Sequence, residues 1–229
     1  MKKRIVVLTG AGISRESGLM TFRDGDGLWN NYRIEDVATF EAWLRDQELV
    51  IDFYNQRRKQ LLEVEPNAAH FALKELEEKY DVQIITQNVD DLHERAGSSN
   101  ILHLHGELRK VRSTRNPHYV VELDGWELKT GDLCPEGAQL RPHIVWFGEP
   151  VPLIDEAARI TQTADVILVI GTSLNVYPAA GLIHYGPANC PIYLIDPGDF
   201  PNHRDQRIKH IQQPATIGVP EIVNQLMQA

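Results

Sequence analysis

Cysteine is scarce in this 229-residue sequence: Cys134 and Cys190 are the only two, and they lie far apart. A disulfide framework is excluded, and with it the small secreted folds that depend on one. Positive charge is also short, with 23 Lys and Arg against 32 Asp and Glu and a net charge of −9. That balance argues against nucleic acid or an anionic membrane surface as the main partner. No apolar run approaches the roughly 20 residues needed to cross a bilayer. Met-Lys-Lys-Arg leads straight into a strand and lacks the apolar region of a signal peptide, so the expected location is the cytoplasm. Internal repeats, low-complexity tracts and linkers are missing too.

What remains is ordinary globular composition, 42% hydrophobic and 24% charged, on a chain long enough for one large domain or a domain with an insert. Its organising stretch is Arg4–Gly18. Arg4–Thr9 is a β-branched, apolar run, the pattern of a buried parallel strand. It breaks into Gly10-Ala11-Gly12 and an amphipathic stretch. A strand, a glycine turn and a helix start form a cradle for phosphate, because backbone N–H groups face the anion and glycine permits close approach. The dinucleotide fingerprint wants a third glycine where this chain has Arg15, and the next glycine is Gly18. The loop by itself therefore fits either a variant nucleotide site or a plain strand–helix turn.

Further along, Thr21–Trp29 reads as a Gly/Asp-rich loop with aromatics to pin it. Residues 35–62 read as helical, with Val37, Phe40, Trp43, Leu44, Leu49, Val50, Phe53, Leu61 and Leu62 as buried candidates. Pro66–His70 opens another helix that ends near Tyr80. Val82–Thr86, Ile101–Leu104, Asp165–Gly171 and Ile192–Ile195 read as strands. Each ends in polar residues, where open α/β sheets bind ligands. From Leu108 to Arg141 glycines and prolines interrupt short β-like pieces, the mark of an inserted module. Ile144–Glu149 returns to the sheet region, Leu153–Thr163 is helical, and Pro220–Met227 is a short closing helix. The fold class is α/β, a parallel sheet with helices on both faces and two inserts.

Four motifs then stand at strand ends in one order: GAGIS…SG..TFR (Gly10–Arg23), TQNVDDLH (Thr86–His93), HGE (His105–Glu107) with FGE (Phe147–Glu149), and GTSLNVYPAA (Gly171–Ala180). Together they resemble the sirtuins, the NAD-dependent protein lysine deacylases, along nearly the whole chain. The resemblance implies a Rossmann-like NAD domain at 1–32, 66–107 and 142–229. It implies a small domain made of a helical insert, 33–65, and a degenerate zinc-ribbon-like module, 108–141.

The same resemblance assigns roles. Gly10, Ala11, Gly12 and Ile13 approach the pyrophosphate of NAD, with Gly171, Thr172 and Ser173 on the other side. Asn88, Val89 and Asp90 form the nicotinamide pocket, and Gln87 holds its ribose. Phe22 and Arg23 shield the reacting ribose carbon from water. His105 is the general base, relaying a proton from a ribose hydroxyl; a histidine suits that task because it titrates near working pH. The products implied are free lysine, nicotinamide and O-acyl-ADP-ribose. His93 and His103 are assigned to structure, and Asp90 has a second reading as a helix cap. The protein substrate is expected as an extended strand against Val145–Phe147 and Asn175–Tyr177, including Val176. A monomer is expected.

The sequence departs from the family at two places. The usual two CxxC pairs between HGE and FGE are reduced to Cys134, with Ser113, Asn116 and Gly137 where partners would fall. No structural zinc is expected; Val111, Val120, Leu123, Trp126, Leu128 and Leu133 must pack the module instead. Asp196 stands where an asparagine is common near the adenosine ribose; a carboxylate also accepts ribose hydroxyls. Tyr54 and Arg57, spaced i, i+3, look like the pair in sirtuins that prefer succinyl and malonyl groups, and Ala38 matches their widened acyl pocket. Against this, Arg57, Arg58 and Lys59 also read as a solvated basic face. The expected activity is deacylation, desuccinylase/demalonylase and deacetylase. The alternatives are protein mono-ADP-ribosyl transfer or NAD binding without turnover.

Overall fold

A computed structural model describes residues 2–20, 28–29 (backbone only), 32–172, 177–200 and 205–229. Six strands make one parallel sheet in the order Ile208–Ile211, Ile192–Ile195, Val166–Ile170, Arg4–Thr9, Asp81–Thr86, Ile101–His103. Along the central strands both faces are covered. Ile5, Val6, Val7, Ile167, Leu168 and Val169 are all completely buried, so these segments read as unbroken apolar runs. Alternate residues serve opposite faces. Ile5, Val7 and Ile84 meet the helices Ala68–Leu76 and Ala215–Gln228. Val6, Leu8 and Ile85 meet the helix Ile154–Thr161 and the 3-10 segment Ala179–Tyr185.

The register brings the carboxyl ends of these strands level. Thr9 lies opposite both Thr86 and Ile170, Thr86 opposite His103, and Ile170 opposite Ile195. Chain order reverses between Arg4–Thr9 and Val166–Ile170, which makes their junction the topological switch point. There two loops meet backbone to backbone. Gly10 N–H donates to Ile170 O (3.0 Å) and Gly12 N–H to Gly171 O (2.8 Å). Gly171 has φ of +62°, and a Cβ on it would lie 2.3 Å from the Ile13 nitrogen. The expected helix start is two 3-10 turns, Ala11–Ile13 and Arg15–Ser17. The Gly10 and Gly12 N–H groups are spent on the neighbouring strand and loop, so the glycines contribute closeness rather than those donors.

A second core lies beside the sheet. It joins Val37, Trp43, Phe53 and Leu61 to Val111, Leu128, Ile144 and Trp146. The helical stretch 35–62 is three helices, Ile34–Val37, Phe40–Arg45 and Gln47–Glu63. Thr39 Oγ1 accepts the Ala42 N–H (3.0 Å) and Asp46 Oδ1 the Leu49 N–H (2.9 Å), and these two N-caps cut the run. Of its expected core residues, Phe40, Leu44 and Leu62 are exposed. Residues 144–149 do not rejoin the main sheet: Leu140–Ile144 pairs antiparallel with Gly106–Ser113, which also pairs with Val120–Glu122. Val111 and Leu128 pack the ribbon as expected, whereas Trp126 and Leu133 are exposed. The closing helix begins at Ala215, ahead of Pro220. The edge strand Ile208–Ile211 carries Lys209 and His210 and so has no apolar run to announce it.

What ties the ribbon to the helices is polar. Arg58, fully buried, donates to Leu108 O and Trp126 O (both 2.8 Å) and to Asn55 Oδ1. Asn55 in turn exchanges two hydrogen bonds with the Leu128 backbone. At the ribbon tip, Ser113 Oγ accepts the Arg115 and Asn116 N–H groups (3.1 Å each), while Asn116 Nδ2 donates to Glu136. One thiol, one hydroxyl, one amide and a glycine are not a tetrahedral zinc donor set. Among the described residues, no three His, Cys, Asp or Glu side chains converge on one point.

Gly171→Ala is expected to lose the roughly 1–2 kcal/mol of a left-handed backbone plus the clash with Ile13. Gly137→Ala, at φ +73° with nothing within 4 Å, is expected to lose the backbone part alone. Denaturant midpoints of the two variants check this; equal losses would contradict it.

Candidate active site

The levelled strand ends open into a cavity of about 820 Å³. One end is walled by Gly10–Gly12, Gly171, Thr172 and Asp196, the middle by Gln87–Asp90 and His105, the other end by Ala38, Tyr54, Arg57 and Val145–Glu149. The motifs thus converge on a single cleft, with the second core supplying its far wall.

In the middle, Ser14 forms a hub that the sequence reading did not single out. Its Oγ donates to Asp90 Oδ2 (3.0 Å) and accepts from Asn88 Nδ2 (3.2 Å), which also donates to Gly10 O. Asn88 N–H is fixed by Thr86 Oγ1 (3.0 Å). Asp90 Oδ1 accepts the Leu92 N–H just ahead of the short helix Leu92–Arg95, and its Oδ2 accepts the Ser14 hydroxyl proton. Burial raises its carboxyl above the ordinary range, against hydrogen bonds from Leu92 and Ser14. The signal for Ser14 was its place in the GAGIS motif, four residues after Gly10.

His105 follows the strand Ile101–His103. Its Nδ1 lies 3.0 Å from Gln87 O, and a carbonyl can only accept, so Nδ1 carries the proton and Nε2 keeps its lone pair. Burial lowers its pKa below the ordinary 6.5, opposed by that hydrogen bond. His103 and His93 are structural, as expected. His103 bridges Asn88 O (3.2 Å) and Glu94 Oε1 (2.7 Å), holding the Gln87–Asp90 loop from behind. His93 Nε2 meets Thr9 Oγ1 at 3.1 Å.

At the far end Tyr54 and Arg57 are both buried, at 1% and 9% exposure, so for Arg57 and Arg58 the solvated-face alternative is wrong; Lys59 alone is exposed. Burial lowers the Arg57 pKa to about 10, against Tyr54 and Asp90, which leaves the guanidinium charged at neutral pH. Burial pushes the Tyr54 phenol up to about 12. Trp146 Nε1 donates to the Tyr54 hydroxyl (3.0 Å). The edge expected to pair with substrate is partly occupied: Val145 N–H donates to His105 O and Phe147 N–H to Ala38 O.

The structure treats the remaining candidates differently. The Ile13 side chain is completely buried in the sheet core, and only its backbone belongs to the glycine turn. Asp196 closes the strand Ile192–Ile195; it is 2% exposed, lines the cavity, and its Oδ1 accepts the Gly198 N–H (2.8 Å). Phe22, Arg23, Ser173 and Val176 lie outside the described residues.

The Sir2 family model matches residues 10–178. A Bacteroides thetaiotaomicron protein named NAD-dependent protein deacylase is 56% identical over 99% of both chains. One of the same name from Helicobacter pylori is 52% identical, over 99% of this chain and 98% of its own. Among solved structures, a Sir2 homologue–NAD complex aligns with a TM-score of 0.87 at 42% identity, covering 99% of this chain and 90% of that one. A Sir2 protein bound to acetylated peptide aligns at 0.81 and 27% identity, covering 100% and 95%. Motifs, fold, cleft and relatives agree, and the chain belongs to the Sir2 family, the sirtuins.

Proposed function

We propose that this chain is an NAD-dependent protein lysine deacylase whose pocket takes acyl groups ending in a carboxylate, succinyl and malonyl, as well as acetyl. The observation that carries the acidic-acyl part is the buried Tyr54–Arg57 pair on the wall of the cavity that also holds His105. A guanidinium kept from water binds a carboxylate strongly, and a neutral phenol adds a directed donor. Ala38, small and buried beside them, leaves room for the longer chain.

The cleft's donor set fits NAD. Asn88 and Asp90 present amide and carboxylate groups to a carboxamide, Asp196 presents acceptors to ribose hydroxyls, and the glycine loops allow a pyrophosphate close to the backbone. NAD supplies an electrophilic ribose carbon with nicotinamide as leaving group. His105, neutral and with Nε2 open, takes the proton of a ribose hydroxyl, and Gln87 O keeps the ring in that tautomer. Ser14 holds Asn88 and Asp90 in one arrangement, so the nicotinamide end needs little rearrangement. Tyr54 and Arg57 hold the far end of the acyl chain and thereby its carbonyl. The substrate is a protein segment, extended along Val145–Phe147. The division into an NAD domain and a small domain, a ribbon held by Arg58 and Ser113 instead of zinc, and a cytoplasmic monomer complete the reading. Metal analysis of the purified protein checks the ribbon.

Three outcomes follow. With acyl-lysine peptides and NAD, His105→Ala is expected to lose at least about a hundredfold in kcat, the usual scale of a general base. In wild type the acidic limb of the pH profile is expected below 6.5, because the lowered pKa keeps His105 neutral there and activity falls only as it protonates; a limb above 6.5 would contradict the assignment. Arg57→Met is expected to lose roughly tenfold or more on succinyl-lysine peptide, the worth of a charge-assisted bond, and little on acetyl-lysine peptide. Equal losses on the two would remove the acidic-acyl pocket.

A further inference from the structure

The Tyr54 hydroxyl has one donor and two acceptor positions. Its oxygen receives the indole N–H of Trp146 at 3.0 Å, and no described acceptor takes its proton. A phenol O–H prefers the plane of its ring, where it has two orientations. An N–H occupying one of them repels the hydroxyl proton into the other. Both residues line the cavity and are almost completely buried, so water does not compete for this bond.

Trp146 is itself clamped. The Arg141 guanidinium lies 3.5 Å over its ring, a cation–π contact. Arg141 makes two bonds to Glu149, at 2.8 and 3.0 Å, and Glu149 Oε2 also accepts the Trp146 backbone N–H at 2.8 Å. Trp43 packs against the indole with ring centroids 5.8 Å apart. Ring and backbone are therefore fixed by groups that do not themselves touch the Tyr54 hydroxyl.

We propose that Trp146 is a positioning residue for acyl selectivity: by filling one side of the Tyr54 oxygen it turns the Tyr54 proton toward the bound acyl group, making Tyr54 an obligate donor to a terminal carboxylate. This rests on the acidic-acyl reading above. A single donor fixed in direction favours a carboxylate over a methyl group at the end of the acyl chain, and it does nothing for the ribose chemistry at His105. Burial keeps the phenol protonated throughout the working range, so the donor is always available.

The test is steady-state kinetics on matched succinyl- and acetyl-lysine peptides with wild type, Trp146→Phe, Tyr54→Phe and the double variant. Trp146→Phe keeps an aromatic ring in the slot but removes the N–H together with one of the two fused rings. It is expected to raise KM for the succinyl peptide about three- to tenfold, the worth of one uncharged hydrogen bond. The acetyl peptide is expected to lose less than the succinyl peptide, so the ratio of their kcat/KM values falls. In the Tyr54→Phe background the same change is expected to have no further effect. Equal losses on both peptides, or an undiminished loss in that background, would overturn the proposal. Should Trp146→Phe fold poorly, indole N–H resonances answer the question, the chain having four tryptophans. One signal is expected to shift in Tyr54→Phe and on adding succinyl but not acetyl peptide; four unmoved signals would overturn it. If wild type does not favour succinyl over acetyl and Arg57→Met leaves their ratio unchanged, the acidic-acyl reading has failed and takes this proposal with it. If that ratio responds to Arg57→Met but not to Trp146→Phe, the pocket stands and Trp146 does not orient it.

Discussion

Everything in the cleft depends on two glycine loops touching at the switch point of the sheet. Gly12 and Gly171 meet through backbone atoms alone, and a Cβ on Gly12 would lie 2.6 Å from the Gly171 Cα. Closing that gap brings the end of the first strand against the end of Val166–Ile170 with no side chain between. Because the strands end level, Ser14, Asn88, Asp90 and His105 then fall within one hydrogen-bonded layer. The contact is chiefly steric, since glycine carries no group of its own. Its consequence is electrostatic: a buried carboxylate and amide share one space with a partly buried imidazole.

The acyl end is built on a different principle. Here the second core brings charged residues inside and pairs many of their donors with backbone carbonyls and carboxylates. Arg58 and Asn55 fasten the helix Gln47–Glu63 to the ribbon, and Arg141, Glu149 and Trp146 form a closed set behind Tyr54. Buried charges of this kind are costly unless paired, so their gain is a fixed geometry more than stability. That explains how a ribbon with one thiol at its tip still presents a rigid wall to the cleft.

Much of the sheet was legible because burial on both faces leaves an unambiguous trace, the apolar runs at Arg4–Thr9, Val82–Thr86 and Val166–Ile170. The motifs at their ends placed His105, Asn88 and Asp90 correctly in one cleft. Errors arose where one residue type permits opposite environments. Arg57 was read into the acyl pocket through its spacing from Tyr54, but nothing marked Arg58 as buried, since adjacent charges on a helix are usually wet. Trp146 sat inside IVWFGE and looked like core, with nothing local to show that its N–H reaches a tyrosine 92 residues away. The strand Ile208–Ile211 has one neighbour only and so lacks an apolar run. The cap at Thr39 was visible in principle, a Thr just ahead of a helical turn, but hydrophobic periodicity masked it.

The account joins a nucleotide cleft and an acyl pocket into one reaction, and product stoichiometry tests that union most directly. Succinyl-lysine peptide, NAD and the protein are incubated, and nicotinamide, free peptide and nucleotide products are quantified together by mass spectrometry. The account predicts equal amounts of nicotinamide, desuccinylated peptide and O-succinyl-ADP-ribose. ADP-ribose retained on protein, or nicotinamide released without loss of the succinyl group, would contradict it.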